Sequence, residues 1–267
     1  MAAAHACVGC HLSNNIVFEH PLNERTRLLL RLAHLFEQLE FFLPLEDSWQ
    51  SRTAMASLLD IASILSRSDI KSEIIKELER QLKKLGAMSK TPGIDQQRLG
   101  QILDDLERHH DLLRKTGGQL GQGIRENEFL KNIMQRSTIP GGNCAFDLPQ
   151  YHYWLKLPAD RRVRQMQQWT DRLRPLEQAV SLVVSLIRSS SRPRPETAAQ
   201  GFFQLTLDSK MPIQLVRVTL PKELGLFAEI SGGKHRVSVR FLRFSEEGQR
   251  PSQVGGDVNF MLTTCVF

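Results

Sequence analysis

An α+β architecture, with a mainly helical N-terminal domain followed by a smaller antiparallel β-sheet domain, is predicted by three observations. Apolar residues recur at helical spacing from Leu22 to about Arg188. From Gly201 onward the period drops to two, the signature of half-buried strands. Between the two regimes, Ser189-Ser190-Ser191-Arg192-Pro193-Arg194-Pro195 supports neither pattern. The expected organisation is therefore a flexible extension over 1–15, a helical domain over 16–195 and a β-domain over 196–267. Ile16-Val17-Phe18-Glu19 reads as a strand, and its available partner is the distant sheet, so residues 16–20 are expected to join it.

The helical elements follow in order. Within Asn23 to Leu43, Leu28, Leu32, Leu35, Phe36, Leu39 and Phe42 form an apolar stripe, with Arg31 at its edge and Pro44 as the stop. Ser51 to Leu65 and Asp69 to Leu85 repeat the pattern, which places Arg67 in a tight inter-helix turn. Thr91-Pro92-Gly93 marks another turn, and Asp95 is positioned to cap a helix from Gln96 to Lys115. The glycines of Gly117-Gly118-Gln119-Leu120-Gly121-Gln122-Gly123 match no phosphate-binding spacing and read as a connection. Asn127 to Arg136 is helical, and Ile139-Pro140-Gly141-Gly142 through Phe146-Asp147-Leu148-Pro149 reads as an ordered turn. Helices from Gln150 to Trp154 and from Ala159 to Arg188 complete this half, the second kinked or divided at Pro175.

Strands are expected over Phe202 to Leu207, Ile213 to Leu220, Phe227 to Ser231, Arg236 to Phe244 and Val254 to Cys265, forming one antiparallel sheet. The fourth is the most informative. Alternation in Lys234-His235-Arg236-Val237-Ser238-Val239-Arg240-Phe241 puts Val237, Val239 and Phe241 on one face and Arg236, Ser238 and Arg240 on the other. Two guanidiniums four residues apart stand about 13 Å from each other on a strand. Permanently charged forks of this kind suit the capture of carboxylates and do not suit proton transfer.

Composition narrows the function classes. A net charge of +6 and a pI near 9.3 favour anionic partners. Residues 201 to 267 carry 8 Lys/Arg against 6 Asp/Glu, a local patch and not a basic surface. Nucleic-acid binding, the alternative reading, would rest on Arg161-Arg162-Val163-Arg164 and on Arg188 to Arg194, neither of which is interleaved with aromatics. No apolar run approaches the roughly 20 residues of a membrane span, and Met1 to Asn15 lacks the pattern of an export signal, so a cytoplasmic protein without membrane insertion is expected.

No nucleophile-base pair, carboxylate pair or metal cluster stands at catalytic spacing, so no catalytic residue, metal or cofactor is expected. Cys7-Val8-Gly9-Cys10-His11 has haem-attachment spacing, but that chemistry belongs to exported chains. His109-His110-Asp111 reads as a solvated helix face. His152, among Tyr151, Tyr153 and Trp154, reads either as a partner contact or as a core histidine donating to a backbone carbonyl; its aromatic neighbours favour the core.

Three stretches, taken together, are specific: Phe18-Glu19-His20-Pro21-Leu22-Asn23-Glu24-Arg25, the Ile139 to Pro149 segment, and Ile230-Ser231-Gly232-Gly233-Lys234 with Arg236 to Phe241. In this order, across residues 16 to 267, the chain resembles the ZapD family of bacterial cell division proteins. The resemblance implies a cytoplasmic, non-enzymatic homodimer at the mid-cell division site that binds the tubulin-like GTPase FtsZ and bundles its filaments. It implies that Arg67, Arg236 and Arg240, with Lys234 beside them, receive the acidic and apolar C-terminal tail of FtsZ. It also implies that Arg31 and His152 take part in bundling. A further position of that second kind, basic in a relative, falls near Glu128, an acidic departure that bears on bundling and not on tail recognition.

Overall fold

In a computed structural model, residues 14–66, 69–89, 91–208, 210–245 and 248–267 are described. The chain divides into two compact units: the described residues up to Arg27 together with Leu186–Phe267, and Leu28–Ser185. The α+β prediction holds, and the N-terminal strand does join a sheet built from the far end of the chain.

The second unit is helical. It takes in most of α1 (Glu24–Phe42) and α9 (Arg174–Ser189), with α2 (Ser48–Ile64), α3 (Ile70–Met88), α4 (Gln96–Lys115), the single turn α5 (Gln122–Arg125), α6 (Glu128–Ser137), α7 (Pro149–Leu155) and α8 (Ala159–Thr170). Local chemistry sets the ends. Asp47 and Gln50 make a reciprocal capping box on α2, and the Asp95 and Asn127 side chains accept from the N–H groups of Arg98 and Leu130 at 3.0 and 3.1 Å. The helix expected from Ala159 to Arg188 is divided by a 3-10 turn at Asp171–Leu173, just ahead of Pro175. Leu32, Leu58, Leu78, Leu106, Leu130, Leu176 and Val183 are among the side chains fully buried in this unit.

Two histidine expectations are overturned here. His109 is buried and His110 half-buried, the latter 3.2 Å from Glu79 of α3, because α3 and α4 pack along their length and cover that face. His152 is exposed, whereas Tyr151 and Trp154 of the same short helix turn inward to stack on each other and to pack at an angle against Phe129. The aromatic neighbourhood is real, but at about 100° per residue the helix points position 152 outward.

The other unit is a pair of antiparallel sheets and not the single sheet expected. Sheet A has the order β1 (Asn15–Pro21), β4 (Ile213–Pro221), β8 (Val258–Val266) and β2 (Arg194–Ala198). Sheet B runs β3 (Phe202–Thr206), β6 (Arg236–Arg243) and β5 (Leu226–Gly232), with the short β7 (Ser252–Gln253) against β6. Arg194 and Pro195, from the stretch that fits neither periodicity, open the edge strand β2, where Pro195 is tolerated because an edge position need not donate on both sides. Gln200 and Gly201 both take positive φ in the turn that carries the chain from β2 to β3, and a Cβ at Gly201 would lie 2.4 Å from the Val254 carbonyl oxygen. The inner faces meet in one apolar core: Val216, Val218, Leu220, Val258, Phe260 and Leu262 from sheet A against Ala228, Val237, Val239 and Phe241 from sheet B. The Phe241 and Phe260 rings sit 4.9 Å apart across it.

Candidate functional site

β6 is the middle strand of sheet B, and its alternation places Val237, Val239 and Phe241 in the core with Arg236 and Arg240 exposed on the opposite face. The pairing fixes what surrounds them. Arg240 lies between Phe202 of β3 and Glu229 of β5; Ser238 lies between Gln204 and Ser231; Arg236 lies opposite Thr206. The Ser231 and Ser238 hydroxyls are hydrogen-bonded at 2.9 Å, which zips the strip between the two arginines. Among the described residues, the Arg236 and Arg240 guanidiniums make no hydrogen bond or ion pair, although Glu229 is the cross-strand neighbour of Arg240.

The turn that aims this face is tightly built. Gly233 donates to the Arg236 carbonyl at 3.0 Å, and Leu207 donates to the His235 carbonyl at 2.8 Å, tying the β5–β6 hairpin to the end of β3. A side chain at Gly232 would lie 2.8 Å from Val237 Cγ2 and 2.9 Å from the Arg236 carbonyl oxygen, so glycine is needed for close approach. His20 of β1 hydrogen-bonds to the Gly232 backbone. Burial holds its pKa below the ordinary histidine value; that hydrogen bond opposes the shift, and the nearby Arg27 charge adds to it.

Lys234 and His235 are exposed in the hairpin, so Lys234 and Arg236 share the hairpin end of sheet B and Arg240 lies further along the same strand. Arg67 lies outside the described residues, as does the Cys7 to His11 segment. Arg31 on α1 and His152 on α7 are exposed and belong to the helical unit, whereas the strand arginines belong to the sheet unit.

Several arginines elsewhere are engaged in the fold. Glu19 of β1 accepts from Arg188 at 2.9 and 2.8 Å and from Arg217 of β4 at 2.9 Å, a half-buried knot on the outer face of sheet A. Sequence reasoning gave Glu19 no role; the signal was a carboxylate on a strand otherwise rich in apolar residues, but its partners are 169 and 198 positions away. Three arginines of the two basic clusters that favoured nucleic acid are also paired within the chain. Arg162 is buried, donating to Ser51 Oγ at 3.1 Å and to the carbonyls of Leu155, Leu157 and Glu46. Arg164 pairs with Asp160 and Arg194 with Glu196. Among the described residues, no group of three or more His, Cys, Asp or Glu is placed to hold a metal, and no helix is long and apolar enough to cross a membrane.

Comparison with known proteins gives the same direction as the sequence motifs. Residues 30–240 match the family model described as "ZapD: Cell division protein". The chain belongs to the ZapD family of cell division proteins. It is 43% identical over 255 residues to the cell division protein ZapD of Methylococcus capsulatus, covering 96% of this chain and all of that relative. It is 38% identical over 248 residues to the ZapD of Vibrio vulnificus, covering 93% and 98% of the two chains. The family match spans Arg31, His152, Lys234, Arg236 and Arg240, so every described candidate lies inside the segment shared with the ZapD family.

Proposed function

We propose that this ZapD-family chain binds the acidic C-terminal tail of FtsZ on the outer face of sheet B and, as a homodimer, cross-links FtsZ filaments in the cytoplasm at the mid-cell division ring. The observation that carries the reading is the pair of exposed guanidiniums, Arg236 and Arg240, held about 13 Å apart on a central strand without an acidic partner among the described residues. Lys234 in the adjoining hairpin adds charge at the Arg236 end, and Arg67 is assigned to the site through the family resemblance.

The reaction class is binding, not catalysis. Arginine stays charged at any physiological pH and presents a planar fork, which matches carboxylates but gives no proton to transfer. A flexible tail loses conformational entropy when it docks, so a single contact is weak; a filament repeats the tail along its length, and a two-fold dimer offers two sites. Effective concentration then supplies the affinity of the bridge. Arg31 and His152, exposed on the helical unit, are the residues we assign to bundling contacts outside the tail.

The test is co-sedimentation with GTP-assembled FtsZ polymers, full-length and lacking the C-terminal tail. The chain is expected to pellet with the full-length polymer alone, and Arg236→Glu or Arg240→Glu to remain in the supernatant while keeping the wild-type circular dichroism spectrum. Pelleting with both polymers would move the interface to the filament body. Because the charges are exposed, binding is expected to weaken as salt rises from 50 to about 300 mM, where the screening length falls well below 10 Å.

A further inference from the structure

The outer face of sheet B carries more than its charges. On β3, Gln204 and Thr206 are the polar, exposed residues expected of a wet face, but the third outward position is Phe202, 39% exposed and directly opposite Arg240. One row further along β6, Leu242 faces Phe227 of β5, and Phe227 is only half-buried. The face is therefore graded. Toward the β5–β6 hairpin it presents Lys234, Arg236 and the Ser231–Ser238 hydroxyl pair; toward the far end it presents Arg240 with two phenylalanines in the flanking strands and the buried Leu242 one row on. Phe202 adds nothing to the core, which β3 supplies with Phe203 and Leu205.

Resting on the reading of this face as the acidic-tail site, we propose that Phe202 and Phe227, floored by Leu242, form an apolar subsite for an aliphatic or aromatic side chain of the same acidic peptide. Charge complementarity sets the occupant's other half: carboxylates go to Arg236 and Arg240, so the apolar group must be the one nearest Arg240. Successive outward rows on a strand are about 7 Å apart, so in an extended ligand the apolar residue lies about two positions from the carboxylate held by Arg240. Glu229, at the β5 end of the Arg240 row, repels that carboxylate and directs it toward the β3 side, where Phe202 stands. The gradient thus gives the bound peptide a fixed placement along β6, which two arginines alone would not.

The experiment is a fluorescence-anisotropy titration of the full chain with a synthetic peptide of the FtsZ C-terminal tail, alongside peptides with each aliphatic residue replaced by serine. Phe202→Ser is expected to weaken binding of the parent peptide about tenfold, the scale of one buried apolar side chain. It should cost nothing further against the one serine peptide that lacks the docked residue, and it should leave the salt dependence unchanged. Phe202→Leu should retain most of the affinity, and Phe227→Ser should behave like Phe202→Ser, with thermal melts confirming that each variant is folded. Arg240→Gln should weaken every peptide and flatten the salt dependence. If Phe202→Ser and Phe227→Ser bind the parent peptide as the wild type does while Arg240→Gln does not, the apolar subsite is wrong and the charge reading stands. If Arg240→Gln also binds normally, the tail-site reading fails, and the subsite with it.

Discussion

Two sets of arginines, one at each sheet of the same unit, meet opposite fates. Against sheet A, Arg188 from the last turn of α9 and Arg217 of β4 converge on one carboxylate, that of Glu19, whose side chain is 18% exposed. On sheet B, Arg236 and Arg240 stand on a regular strand with no such side-chain partner among the described residues. The chemistry of the side chains is the same, so the difference lies in what the topology sets beside them. β1 brings a glutamate to β4, whereas β3 and β5 bring serine, threonine, glutamine and phenylalanine to β6, with Glu229 as the one acid across from Arg240. A guanidinium closed by a carboxylate contributes to the fold; one left open is available to a ligand.

The largest test of this contrast is Glu19→Ala. Removing the shared acceptor takes its carboxylate away from two partly buried guanidiniums, and a loss of about 3 kcal/mol is expected in urea unfolding. Next is Gly232→Val, which forces atoms into Val237 and the Arg236 carbonyl; a loss of about 2 kcal/mol by overpacking is expected. That variant should also weaken tail-peptide binding without altering any charge, because the hairpin that aims Arg236 must shift.

A carboxylate that finds another acid sharpens the comparison from the opposite side. Glu177 of α9 is hydrogen-bonded to Glu40 of α1, and burial first, then that neighbour, push its pKa up to about 8. The folded state therefore holds a proton between pH 4.5 and 8 that the unfolded chain has released, so stability falls as pH rises through this window. Glu177→Gln is expected to stabilise the chain by about 1 kcal/mol at pH 8, allowing for solvent screening, and by less at pH 5, as read from thermal melts at the two values. The smallest effect belongs to the open pair: Arg236→Ala and Arg240→Ala should each change stability by no more than about 0.5 kcal/mol. A larger loss would mean that they are structural after all, and the contrast with Arg188 and Arg217 would collapse.

Much of the fold was legible because it is written in short-range periodicity. The Gln96 to Lys115 helix follows from its apolar spacing and the Asp95 cap, and the β6 alternation follows from eight consecutive residues. What failed depended on neighbours remote in the chain. His109 sits on a helix whose sequence gives it a polar face; α3 covers it, and no feature within α4 announces that. Arg162 looked like part of a basic cluster, yet it is buried among carbonyls from the ends of other helices. His152 failed for a different reason: composition was read where direction mattered, and the helix turned the histidine away from its aromatic neighbours.

By itself, the sequence determined the α+β class, the order of the elements, the family and the face of β6 on which Arg236 and Arg240 lie. Each of these depends on periodicity or on residues adjacent in the chain. Only the tertiary structure decided that the strands form two sheets, that Glu19 closes over Arg188 and Arg217, and that Phe202 stands beside Arg240. Strand order and register are set by contacts between residues tens to hundreds of positions apart, through burial of a shared core, and no local pattern carries that information.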